Sequence, residues 1–131
     1  MRKIRQAVAV AAGGAALLSL GVVPAHAEGS RTSYIGGWAR GNESSRWADD
    51  NSDGASTSVG FSGCQTDSSF SSASLNLFQD ISLAPDKDRG SRTNYCNTSA
   101  WGVQPKGSYY FTLTGFTGGS RLTVSTVRIA W

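Results

Sequence analysis

Histidine is almost absent from this 131-residue chain. Its single copy, His26, and the single methionine, Met1, both fall within the first 27 residues. Without those residues, every site built on imidazole is excluded, from Ser-His-Asp and Cys-His hydrolases to His-ligated zinc or copper. The N-terminus predicts their removal. Arg2, Lys3 and Arg5 precede an acid-free apolar run over residues 7–23, and Pro24-Ala25-His26-Ala27 provides a small-x-small cleavage site after Ala27. A membrane anchor is the rival reading, because the apolar run is 17 residues long. Alanine and glycine dilute the run, however, and the cleavage site stands where a signal peptidase needs it. The expected product is secreted, leaves the membrane on cleavage, starts near Glu28 and has 104 residues.

An excess of charge of one sign is missing as well. Three of the twelve basic residues belong to the signal, which leaves 9 Lys+Arg against 9 Asp+Glu and a net charge of zero. A mixed surface of this kind has no general pull on phosphate, so no nucleic-acid partner is expected. Lysine is reduced to Lys87 and Lys106, both in loop sequence, which weakens a Ser-Lys nucleophile. Most carboxylates sit in turn sequence beside glycine or serine and not in apolar strand context, where a raised pKa would mark a glycosidase pair. The protein is therefore expected to be no enzyme.

Sustained helical periodicity is the third absence. Ser and Thr are abundant and Gly frequent, which suits short antiparallel strands joined by tight turns. The expected fold is all-β, a single antiparallel sandwich over residues 42–131, immunoglobulin-like or jelly-roll-like, with a closed barrel as the alternative. Cysteine occurs twice, as Cys64 and Cys96 with 31 residues between them. Export predicts a disulfide, which would remove roughly 3 to 4 kcal/mol of loop-closure entropy from the unfolded chain.

The clearest strand is residues 72–83. Ala73, Leu75, Leu77, Ile81 and Leu83 share one face, and Phe78 stands on the polar one, as a partner patch or under a covering loop. Residues 55–64 alternate more weakly. Residues 84–94 read as a charged, solvated loop, and residues 101–104 as a short strand. Residues 107–116 and 121–131 read as a hairpin turning at residues 117–120. The apolar phase changes near Ser125-Thr126, as a β-bulge would cause. The terminal Trp131 implies a chain end that is tied down.

Candidate sites lie earlier in the chain. In residues 28–41, Tyr34, Ile35 and Trp38 stand among four glycines. Two readings are open: a first edge strand with Trp38 on the core, or a flexible arm whose aromatics anchor on another protein. Ser44 or Ser45 is placed to cap a short helical turn that aims Trp47 inward. Asp49, Asn51, Asp53 and Gly54 repeat half of a calcium loop, but Gly60 stands where the bidentate glutamate belongs, and an acidic turn before a strand is preferred.

Binding is the function class that remains. A carbohydrate-binding module would stack sugars on two or three of Trp38, Trp47, Trp101, Tyr109 and Tyr110. A protein-interaction module would use Tyr34, Ile35, Trp38, Arg40 and Phe78 to grip a larger secreted protein, and is preferred. The Gly- and Trp-bearing arm after the signal, residues 43–47, Cys64 closing a Ser-rich strand, the long strand 72–83 and the return through Tyr95-Cys96 together resemble the small secreted adaptor proteins of bacterial umbrella toxin particles. The resemblance covers most of the mature chain. It implies a non-catalytic β-rich protein that links a lectin-like subunit to the repeats of a large toxin polypeptide; the aromatics and glycines of residues 34–40 then make that stretch the expected element to enter a partner cleft.

Overall fold

A computed structural model describes residues 29–131; the expected signal and Glu28 lie outside them. The strands are β1 (Ser30–Trp38), β2 (Trp47–Asp49), β3 (Ser56–Thr66), β4 (Ala73–Asp80), β5 (Lys87–Asn94), β6 (Thr98–Val103), β7 (Gly107–Phe116) and β8 (Leu122–Ala130). Among the described residues there is no helix, hence none long and apolar enough to cross a membrane.

The strands form two four-stranded sheets, ordered β1-β8-β3-β6 and β2-β7-β4-β5, and every pairing is antiparallel. The result is a β-sandwich, not a closed barrel. β1 pairs with β8, β2 with β7, β3 with β6 and β4 with β5. The chain is therefore one long hairpin with its tip between β4 and β5, rolled so that successive strand pairs fall in opposite sheets. This is the jelly-roll arrangement and not the immunoglobulin one.

Alternation places the core. Leu75 and Leu77 of β4, Phe111 and Leu113 of β7, Val59 and Phe61 of β3, and Val127 and Ile129 of β8 meet between the sheets. β3 and β8 change phase together. Inward positions pass from Thr57, Val59 and Phe61 to Cys64 and Thr66 on β3, and from Val127 and Ile129 to Val124 and Leu122 on β8, while their mutual register stays unbroken. The change is absorbed at Gly63, whose φ of 71° suits glycine. The slip expected at Ser125-Thr126 is present where β8 meets β1: between the pairs Ser33↔Val127 and Ile35↔Val124, those two residues stand opposite Tyr34 alone.

Four expectations change. The long strand stops at Asp80 because its neighbour β7 ends opposite it, at Ser108 and Gly107; the Ile81 N–H then donates to Asp86 Oδ1, and Leu83 stands fully exposed with φ 60°. Residues 84–94 are mostly strand: β5 is an edge strand, and its charged side chains conceal the pattern while protecting the edge. β7 and β8 form no hairpin, since they lie in opposite sheets. Residues 117–120 carry the chain between them, held by Asp67, which accepts from Ser120 N, Ser120 Oγ and Arg121 N. No helical turn precedes Trp47; Ser44 instead exchanges bonds with the Phe111 backbone, and Trp47 is buried at the start of β2.

Cys64 and Cys96 are bonded, with their Cα atoms 5.9 Å apart. The bridge joins β3 to the connection between β5 and β6, so it closes a crossing between sheets. Trp131 is tied down through paired backbone bonds with Gly29, 3.0 Å each way, and its ring stacks on Trp47.

Candidate functional site

Residues 29–41 are no free arm, and the sandwich begins before residue 42: β1 is an edge strand zipped to β8. Its pairing shifts twice, on either side of Ile35, and Gly37 takes φ 66° so that its N–H reaches Thr123 Oγ1 at 3.1 Å. These shifts aim Ile35 into the core, where it is 1% exposed. Trp38 is half-buried, with its ring tilted against Phe111 at 5.9 Å. The Arg40 guanidinium lies 4.1 Å over the Phe116 ring and donates to the carbonyls of Phe116 and Gly119. Tyr34 is left outward, at 72% exposure.

Phe78 belongs to the other sheet. It stacks on Tyr110, ring centroids 5.5 Å apart, while the Arg46 guanidinium covers Tyr110 at 3.8 Å. The five residues expected to bind a partner therefore do not form one surface.

Beside Tyr34 the two sheets stand apart, because β2 is only three residues long and residues 43–46 run irregularly ahead of it. A cleft of about 60 Å³ opens there. Ile35, Trp38, Phe111, Val127 and Ile129 make its floor, and Arg31, Ser33, Ser44 and Ser45 its polar side. Arg31 spans the gap, donating from Nη1 to the Arg46 carbonyl at 3.1 Å and from Nη2 to the Ser45 carbonyl at 3.2 Å. The sequence gives no local sign of this cleft, since its walls come from three distant segments; an arginine in register with a strand's inward face is the one signal it contains.

The carboxylates elsewhere are held as acceptors. Arg46 pairs with Glu43 at 3.0 Å and Asp80 at 3.1 Å. Tyr110 donates its hydroxyl to Asp86; burial, reinforced by that bond, pushes the phenol up to about 12, while the same bond and the Ile81 N–H hold Asp86 below the usual carboxylate range. Asp88 is lowered by Asn76 and by the Gly90 N–H. Asp67 falls to about 2 under the Ser120 hydroxyl and the N–H groups of Arg121 and Ser120. Each of these carboxylate shifts is downward, opposite to what a general acid needs.

In the half calcium loop, Asp49 is buried and its Oδ1 accepts the Asn51 N–H at 2.8 Å; Asp53 Oδ1 accepts the Ala55 N–H at 2.9 Å. These are the contacts of Asx turns. Among the described residues, no cluster of three or more His, Cys, Asp and Glu side chains is arranged to hold a metal. The sugar-stacking set is dispersed too: Trp47, Trp101, Tyr109 and Tyr110 are buried, and Trp38 faces Phe111.

Comparison of the chain with protein-family models, with curated proteins and with solved structures gives no match. The jelly roll by itself leaves function open.

Proposed function

We propose that the chain is a secreted, non-catalytic protein-interaction module whose partner seats on the edge of β1. One observation carries this reading: Tyr34, a large amphipathic side chain at 72% exposure, stands on an edge strand beside the cleft. Tyrosine is enriched in binding surfaces because its ring gives contact area with few rotamers to freeze. The resemblance to umbrella-particle adaptors points the same way, toward a module that joins the subunits of an extracellular toxin complex. The depressed carboxylates and the lack of histidine after residue 27 support a non-catalytic role.

Deleting residues 28–41 would remove a sheet edge and Ile35, so point variants are the cleaner test. The immobilised mature protein is expected to retain a larger secreted polypeptide from culture supernatant, and Tyr34→Ala to reduce retention about tenfold, the loss of roughly 1.4 kcal/mol at a contact anchor. Equal retention by Tyr34→Ala, or retention on polymeric glycan with no protein bound, would contradict the proposal.

A further inference from the structure

The cleft between β1 and residues 43–46 has the chemistry of a site for a chain end, an inference that rests on the protein-binding reading and deepens it. Its floor is wholly apolar, built by Ile35, Trp38, Phe111, Val127 and Ile129. Its volume of about 60 Å³ is less than half of the ~150 Å³ that admits a benzene ring. The floor therefore takes a branched aliphatic group and no ring. No carboxylate lines the cleft, and its one charge is Arg31. The carbonyls of Ser45 and Arg46 fix that guanidinium through its two terminal nitrogens. A guanidinium has five N–H donors, so others remain for a ligand. A fixed cation beside an apolar floor complements an aliphatic group that carries its own carboxylate.

The edge of β1 decides between a passing strand and a chain terminus. With two register shifts and a left-handed Gly37, it presents no straight ladder for a long added strand. We propose that the cleft binds the C-terminal residue of a partner protein, a valine-like side chain resting on the floor and the terminal carboxylate on Arg31.

The test is a titration of isotope-labelled mature protein with the peptide acetyl-Ser-Gly-Ser-Val, as the free acid and as the C-terminal amide, followed by NMR. The acid is expected to shift the methyl signals of Ile35, Val127 and Ile129, and the amide to bind about tenfold more weakly. Arg31→Gln should erase the preference for acid over amide. Ser33→Leu, which fills the mouth but leaves Arg31, should abolish binding of both, with signal dispersion confirming that each variant is folded. Equal binding of acid and amide, or no movement of those methyl signals, would overturn the proposal. So would 3-methylbutanoate binding as tightly as the peptide, which would make this a small-acid site. A failure here with Tyr34→Ala still weakening partner retention would leave the broader reading standing.

Discussion

Asn94 carries more of the fold than its size suggests. It is fully buried, and its amide is saturated: Nδ2 donates to the Asn97 carbonyl and Ser99 Oγ, while Oδ1 accepts from the N–H groups of Cys96 and Asn97. It thereby folds the loop that presents Cys96, at φ 66°, to Cys64. Asn94→Ala removes the acceptor of two part-buried N–H groups, and equilibrium denaturation is expected to show a loss of roughly 1 to 3 kcal/mol. Gly63 is equally exacting. Alanine there adds about 1 to 2 kcal/mol of left-handed backbone strain and collides with Ser125 Oγ. Gly63→Ala with Ser125→Ala should relieve the collision and keep the strain, so the double variant is expected to fall between wild type and the single variant. Asp67 gives a pH signature. Its folded pKa of about 2 lies below the unfolded value of about 4. Its stabilising contribution is thus complete above about 4 and disappears as pH falls from there toward 2. Asp67→Asn should be less stable than wild type at neutral pH, with the difference closing over that acid range in thermal melts.

At the scale of elements, legibility followed one-sided burial. β4 reads cleanly because Ala73, Leu75 and Leu77 face the core and Ser74 and Asn76 do not. β5 is unreadable as a strand because an edge strand has little apolar face to show, and its Lys87, Asp88, Arg89 and Arg92 resemble a loop. β1 was ambiguous for another reason. Its inward positions include Arg31 and Ser33, which line the cleft, so only Ile35 advertises burial. Strand ends and pairings were poorly legible, since where β4 stops depends on β7, and which strands pair depends on the rolling of the whole ribbon. The partner residues suffered from the same gap: composition singled out Tyr34, Ile35 and Trp38 together, whereas the bulged pairing with β8 separates the exposed Tyr34 from the other two. Because Ile35 is core, Ile35→Ala should cost about 2 to 5 kcal/mol and act first on folding. A variant that kept its stability and lost its partner would contradict that assignment.

For the whole molecule, the rolled hairpin explains why two cysteines matter. Six of the seven connections cross between sheets, so the fold is rich in contacts between residues far apart in sequence, and the Cys64–Cys96 bridge pins one of these closures across a separation of 32 residues. Replacing both cysteines by serine should lower stability by about 3 to 4 kcal/mol on the chain-entropy estimate, read from denaturation midpoints. The rolled ribbon also leaves β1 and the short β2 as sheet edges, and the cleft lies between β1 and the residues that lead into β2. The most direct test of β1 as the working edge is hydrogen exchange on the mature protein, alone and with its captured partner. Slower exchange is expected within residues 30–38, with β5 and β6 unchanged; protection confined to the outer face of the second sheet around Phe78, with β1 exchanging as freely as before, would contradict it.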